Sequence, residues 1–110
     1  MKLSEAVKLI EQEYVITDEG TCYIVHTDMF DKALEEIVIY VMSIDGEAFI
    51  TDGADVANTI GDKLTEEKLY EIAKMFEFKL NDWHIEKYYK SNDDIYRFFE
   101  LFIYVQNHNE

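Results

Sequence analysis

The stretch Ile37-Val38-Ile39-Tyr40-Val41-Met42-Ser43-Ile44-Asp45-Gly46-Glu47-Ala48-Phe49-Ile50-Thr51-Asp52-Gly53 decides how the chain folds. Its opening run, Ile37 to Ile44, is β-branched and almost wholly apolar, which predicts a central strand covered on both faces. Asp45-Gly46 follows, a dipeptide whose tolerance of left-handed backbone suits a two-residue hairpin turn. Ala48-Phe49-Ile50 then returns as the paired strand and stops at Asp52-Gly53. Strands joined by so short a turn run antiparallel.

Upstream, Tyr14-Val15-Ile16 and Cys22-Tyr23-Ile24-Val25 flank Asp18-Glu19-Gly20-Thr21, a second hairpin signal. Before it, residues 2–13 place Leu3, Ala6, Val7 and Ile10 at the spacing of one helical face. Residues 28–35 read as a polar connection with at most a short turn of helix. Downstream, residues 54–60 predict a short helix ended by Gly61. Thr65 is placed to cap a further helix that opens with Glu66 and Glu67 and buries Leu69, Ile72, Ala73 and Phe76. Phe78 to Leu80 and Trp83 to Tyr89 form a third strand pair around Asn81-Asp82. Asn92 or Asp93 caps a last helix carrying Ile95, Phe98, Phe99, Phe102 and Ile103. The predicted fold is a single α+β domain over residues 1–110, an antiparallel sheet of about five to six strands with three to four helices packed on it.

Charge narrows the partners. The chain holds 24 Asp and Glu against 10 Lys and Arg, a net of −14, and Arg97 is its one arginine. Nucleic acid and anionic membrane surfaces need clustered cations, so direct binding of either is disfavoured. A basic protein partner suits this surface. The longest apolar run falls far below the ~20 residues of a membrane helix. With Cys22 as the only cysteine no internal disulfide can form, and cytoplasm is the expected location.

The segment Tyr40 to Gly53, followed by Asp55-Val56-Ala57-Asn58-Thr59-Ile60, resembles the most typical stretch of the bacterial and phage domain-of-unknown-function family 1828. Lys68-Leu69 to Phe76, Phe78 to Asp82 and the closing apolar helix from Ile95 to Val105 are similar as well. One acidic residue precedes Gly53 where the family often has two. The resemblance implies a fold of this kind and a phage or mobile-element setting. It transfers no functional residue.

Four groups of residues are candidates for chemistry. Asp45, Glu47, Asp52 and Asp55 are the densest carboxylates, hard oxygen ligands that would hold Mg²⁺ or Ca²⁺ if they converged. Asp45 and Asp52 each precede a glycine, however, and are explained as turn residues. Cys22 and His26 lie four apart on a predicted strand, a thiol and an imidazole without an evident third partner. Tyr88, Tyr89, Tyr96, Phe98, Phe99, Phe102 and Tyr104 would serve to stack bases, but only Lys87, Lys90 and Arg97 accompany them, so most belong to the core. Finally, residues 1–60 carry a net −10, with Glu11, Glu13, Asp18, Glu19, Asp28, Asp31, Glu35 and Glu36 as partner-binding candidates, against the plainer reading of a solvated surface that keeps the protein soluble.

The expected function is a non-enzymatic interaction module of phage or mobile-element type, without cofactor. In its sharpest form it is an acidic mimic of nucleic acid that inhibits a basic host defence enzyme. The alternatives are a metal-dependent hydrolase built on the four carboxylates, or a self-associating accessory subunit.

Overall fold

The computed structural model describes residues 1–30, 34–60 and 65–108. Its elements are α1 (Leu3–Ile10), β1 (Val15–Asp18), β2 (Tyr23–Phe30), β3 (Glu36–Ile44), β4 (Glu47–Thr51), α2 (Asp55–Ile60), α3 (Glu66–Met75), β5 (Lys79–Asn81), β6 (His84–Tyr88) and α4 (Asn92–His108). The strands form one sheet in the order β1-β2-β3-β4-β6-β5, each neighbouring pair antiparallel. The α+β class expected from the hairpin signals is therefore present.

Alternation along the strands assigns one face to the core. Val25, Ile37, Ile39, Val41, Ala48, Ile50 and Ile85 point to it and are buried. The helices close over this face with Ala6 and Ile10 from α1, Leu69, Ile72 and Ala73 from α3, and Ile95, Phe98, Leu101, Phe102 and Val105 from α4. Burying a large aliphatic or aromatic side chain contributes roughly 1.5–3 kcal/mol. Apolar area, rather than any polar contact, holds the layers together.

Among the described residues no helical layer closes the other face, although Gly53 lies against the Tyr40 ring and Thr51 is buried there. Along β3, Ile37, Ile39 and Val41 are buried, whereas Val38, Tyr40 and Met42 are half-buried and Ser43 and Ile44 are exposed. The expectation of a strand covered on both faces is thus corrected. The apolar run reflects shielding by cross-strand neighbours in the same layer, Tyr40 beside Thr51 and Met42 beside Phe49, not a second covering layer.

Other corrections concern turns and caps. Asp45 and Gly46 take φ of 53° and 80°, as the hairpin reading requires, but Asp82 and Trp83 do the same at 50° and 67° without a glycine. Trp83 therefore sits in the turn, and β6 begins at His84. The expected connection over residues 28–35 is partly strand, because β2 continues through a register shift between His26 and Phe30. Asp28, at φ 58°, lies within that bulge. The cap of α4 is Ser91, one residue before the expected pair. Its Oγ accepts from the Asp93 N–H at 3.3 Å, and Asp94 Oδ2 accepts in return from the Ser91 N–H at 3.3 Å. On α4 itself, Leu101 is buried and Ile103 is half-exposed. Thr65 caps α3 as expected, accepting from the Lys68 N–H at 3.1 Å. Gly61 lies outside the described residues.

Candidate functional site

The four carboxylates considered for a metal stand at opposite ends of β4. Asp45 lies in the β3–β4 turn and Glu47 opens β4, where it pairs with the chain's N-terminal ammonium. Asp52 and Asp55 lie past the far end of the strand. Five residues of extended chain separate Glu47 from Asp52 by roughly 17 Å, so the four do not converge on one ion. Among the described residues no group of three or more His, Cys, Asp or Glu side chains is placed to hold a metal.

Asp52 has a different role. It is 0% exposed and accepts three backbone N–H bonds, from Ala54 at 2.9 Å, Val56 at 3.1 Å and Ile85 at 2.9 Å. One carboxylate thereby joins the end of β4, the first turn of α2 and strand β6. Burial pushes its carboxyl up to about 6 against the opposing effect of those three donors. Beside it, Gly53 adopts φ 62°, and a Cβ there would meet the Tyr40 ring at 2.6 Å. Turn chemistry accounts for the Asp52-Gly53 dipeptide locally, and the contact with Ile85 is the further reason a carboxylate occupies that place.

Cys22 and His26 do not form a pair. Four residues along extended chain put them roughly 13 Å apart, and both ring nitrogens of His26 are engaged elsewhere. His26 Nε2 lies 2.7 Å from Thr17 Oγ1, and His26 Nδ1 lies 2.9 Å from Glu36 Oε1. The network assigns the tautomer: Nδ1–H donates to the carboxylate and Nε2 accepts the hydroxyl proton. Glu36 is held below the usual carboxylate range chiefly by its hydrogen bond with His26. The sequence hid this trio, because its three members come from three strands and meet only through register.

The remaining acidic candidates are scattered. Glu11 and Glu13 follow α1, and Glu13 accepts from Asn92 Nδ2 at 2.6 Å. Asp18 ends β1 and Glu19 follows it in the β1–β2 connection, where Asp18 accepts from the Gly20 N–H at 2.8 Å. Asp28 and Glu35 are exposed near the other end of that hairpin, and Asp31 lies outside the described residues. Of the aromatics, Tyr89, Phe98 and Phe102 are core, Phe99 and Tyr104 pack against it, and Tyr88 and Tyr96 are exposed. They form no stacking platform.

Exposed apolar side chains occur on the helices too, among them Tyr70, Met75 and Tyr96, but on the open side of the sheet they lie side by side through strand register. Val15, Ile44 and Tyr88 are 70%, 37% and 42% exposed there. Ile24, Val38, Tyr40, Met42 and Phe49 lie half-buried between them. Phe49 and Tyr88 meet edge to face at 5.2 Å and wall a groove of about 730 Å³ whose lining includes Ile44, Glu77, Lys79, Glu86 and Lys90. At its margin Lys87 pairs with Asp94 at 2.8 Å and covers the Phe78 ring at 5.2 Å. No described helix is long and apolar enough to cross a membrane. In comparisons with protein-family models, curated proteins and solved structures, none matches this chain.

Proposed function

We propose that this chain is a protein-interaction module that docks a partner on the open face of its sheet. The observation that carries the reading is the run of apolar and aromatic side chains from Val15 through Met42 and Phe49 to Tyr88, exposed or half-buried on a face that the helices leave uncovered. Contiguous apolar surface of this kind, rimmed by charge, is a feature of interaction sites. Net charge sets the partner's chemistry: at −14, the chain attracts a protein with a basic rim and repels polyanions. Carboxylates stand at both ends of the β1–β2 hairpin, Asp18 and Glu19 at one and Glu13 and Asp28 at the other. A basic nucleic-acid-binding enzyme fits this combination, with the hairpin carboxylates in place of phosphates.

The test compares variants in a tagged pull-down from host lysate washed at low and high salt. Ile44→Lys with Tyr88→Lys is expected to abolish retention of the partner while leaving the melting temperature of the exposed-site variant near that of the wild type. Neutralising Glu11, Glu13, Asp18 and Glu19 is expected to weaken retention and flatten its salt dependence. Retention indifferent to both sets of changes would sink the reading. Dimerisation of the wild type in light scattering, lost in the face variant, would assign the same surface to a second copy.

A further inference from the structure

The trio on the open face goes beyond docking. Thr17, His26 and Glu36 lie in line across β1, β2 and β3, with 2.7 Å from hydroxyl to imidazole and 2.9 Å from imidazole to carboxylate. That is the nucleophile–base–orienter arrangement by which a weak hydroxyl is activated. The carboxylate is itself anchored, since Glu36 Oε2 accepts the Asp28 N–H at 3.2 Å within the β2 bulge. Thr17 is exposed, and the His26 and Glu36 side chains are 31% and 24% exposed, so a reagent can reach the hydroxyl. As the outermost strand, β1 leaves every second backbone N–H without a strand partner, the kind of donor that an oxyanion requires.

We propose that Thr17 is a reactive hydroxyl that accepts an acyl group from small activated esters, with His26 as its general base and Glu36 as the residue that positions it. Thr17 Oγ1 bonds to the ester carbonyl carbon while its proton passes to His26 Nε2. The Glu36 carboxylate faces the imidazolium so formed. Collapse of the tetrahedral adduct breaks the carbon–oxygen bond to the leaving alcohol, which takes the proton from His26. Water, deprotonated by the same imidazole, then bonds to the acyl carbon; the bond from that carbon to Thr17 Oγ1 breaks, Oγ1 takes the proton back from His26, and the acid leaves.

The experiment uses an alkyl fluorophosphonate on the intact chain. This reagent forms an Oγ–phosphorus bond at an activated hydroxyl and expels fluoride, and peptide mass spectrometry locates the adduct. Labelling is expected at Thr17 in the wild type and in Cys22→Ser, and none at position 17 in Thr17→Val. His26→Gln is expected to slow labelling by about 100-fold, the low end of what a general base contributes. Glu36→Gln is expected to slow it about ten-fold, and Glu36→Asp to recover part of that loss, because a merely structural role would not distinguish the two by carboxylate. Melting curves confirm that each variant is folded. Absence of label on wild-type Thr17, or equal Thr17 labelling in the wild type and folded His26→Gln, would overturn the proposal. So would equal labelling rates in the Gln and Asp variants of Glu36, which would remove that residue from the relay.

Discussion

At the scale of the residue, Asp52 shows how a buried carboxylate ties stability to pH. Its folded value of about 6 lies above the 3.8 of an ordinary aspartate, so between those two values the native state holds a proton that the unfolded chain has already released. Stability from this group is complete below about 4 and declines as pH rises toward 6. The difference of roughly two units corresponds to at most about 3 kcal/mol. Asp52→Asn removes the titration and keeps an oxygen for the Ala54 and Ile85 donors, while its amide faces the Val56 N–H. Urea melts at pH 4 and pH 7 should therefore show the wild type losing ground to Asp52→Asn as pH rises. A gap between the two that is constant with pH would contradict the burial argument. Other carboxylates titrate in both proteins and cancel in the comparison.

At the scale of the element, the start of α4 depends on Asp94 more than on its capping serine. Asp94 accepts the Lys90 N–H at 2.7 Å and the Ser91 N–H at 3.3 Å, and its other oxygen pairs with Lys87 at 2.8 Å. The pair is mostly buried, with side-chain exposures of 16% and 9%. Truncating one partner leaves the other charge uncompensated, so Asp94→Ala should cost about 3 kcal/mol. Ser91→Ala removes a single 3.3 Å cap bond and should cost about 1 kcal/mol. Chemical denaturation of the two variants tests the ranking, and equal losses would show that the Lys87 contact contributes little. The tie matters because α4 supplies the largest share of the helical side chains in the core.

At the scale of the whole molecule, self-repulsion opposes compactness. A net charge of −14 on 110 residues is offset among the described residues by few close ion pairs, of which only Lys87–Asp94 is largely buried. Monovalent salt screens exposed like charges over about 10 Å at 0.1 M. Raising sodium chloride should therefore raise the melting temperature, and a gain of 1 kcal/mol would read as roughly 4–8 °C. Scanning calorimetry across ionic strength checks this. A fall in melting temperature would mean that attractive surface pairs outweigh the repulsion.

Local chemistry was enough to determine the class of fold and most of its elements. Asp45-Gly46 makes a hairpin wherever it stands between β-prone runs, the α1 and α3 patterns place apolar residues on one face, and Thr65 finds its N–H within one turn. Each of these depends on neighbours a few residues away. Tertiary structure alone decided the rest. It left the second face of β3 open, set Trp83 in a turn, made Asp52 a buried tie between β4, α2 and β6, and brought Thr17, His26 and Glu36 into one line. Each of these outcomes rests on the cross-strand register and on which face the helices cover. Both are settled by the summed burial of distant side chains, a quantity that no short stretch of sequence contains.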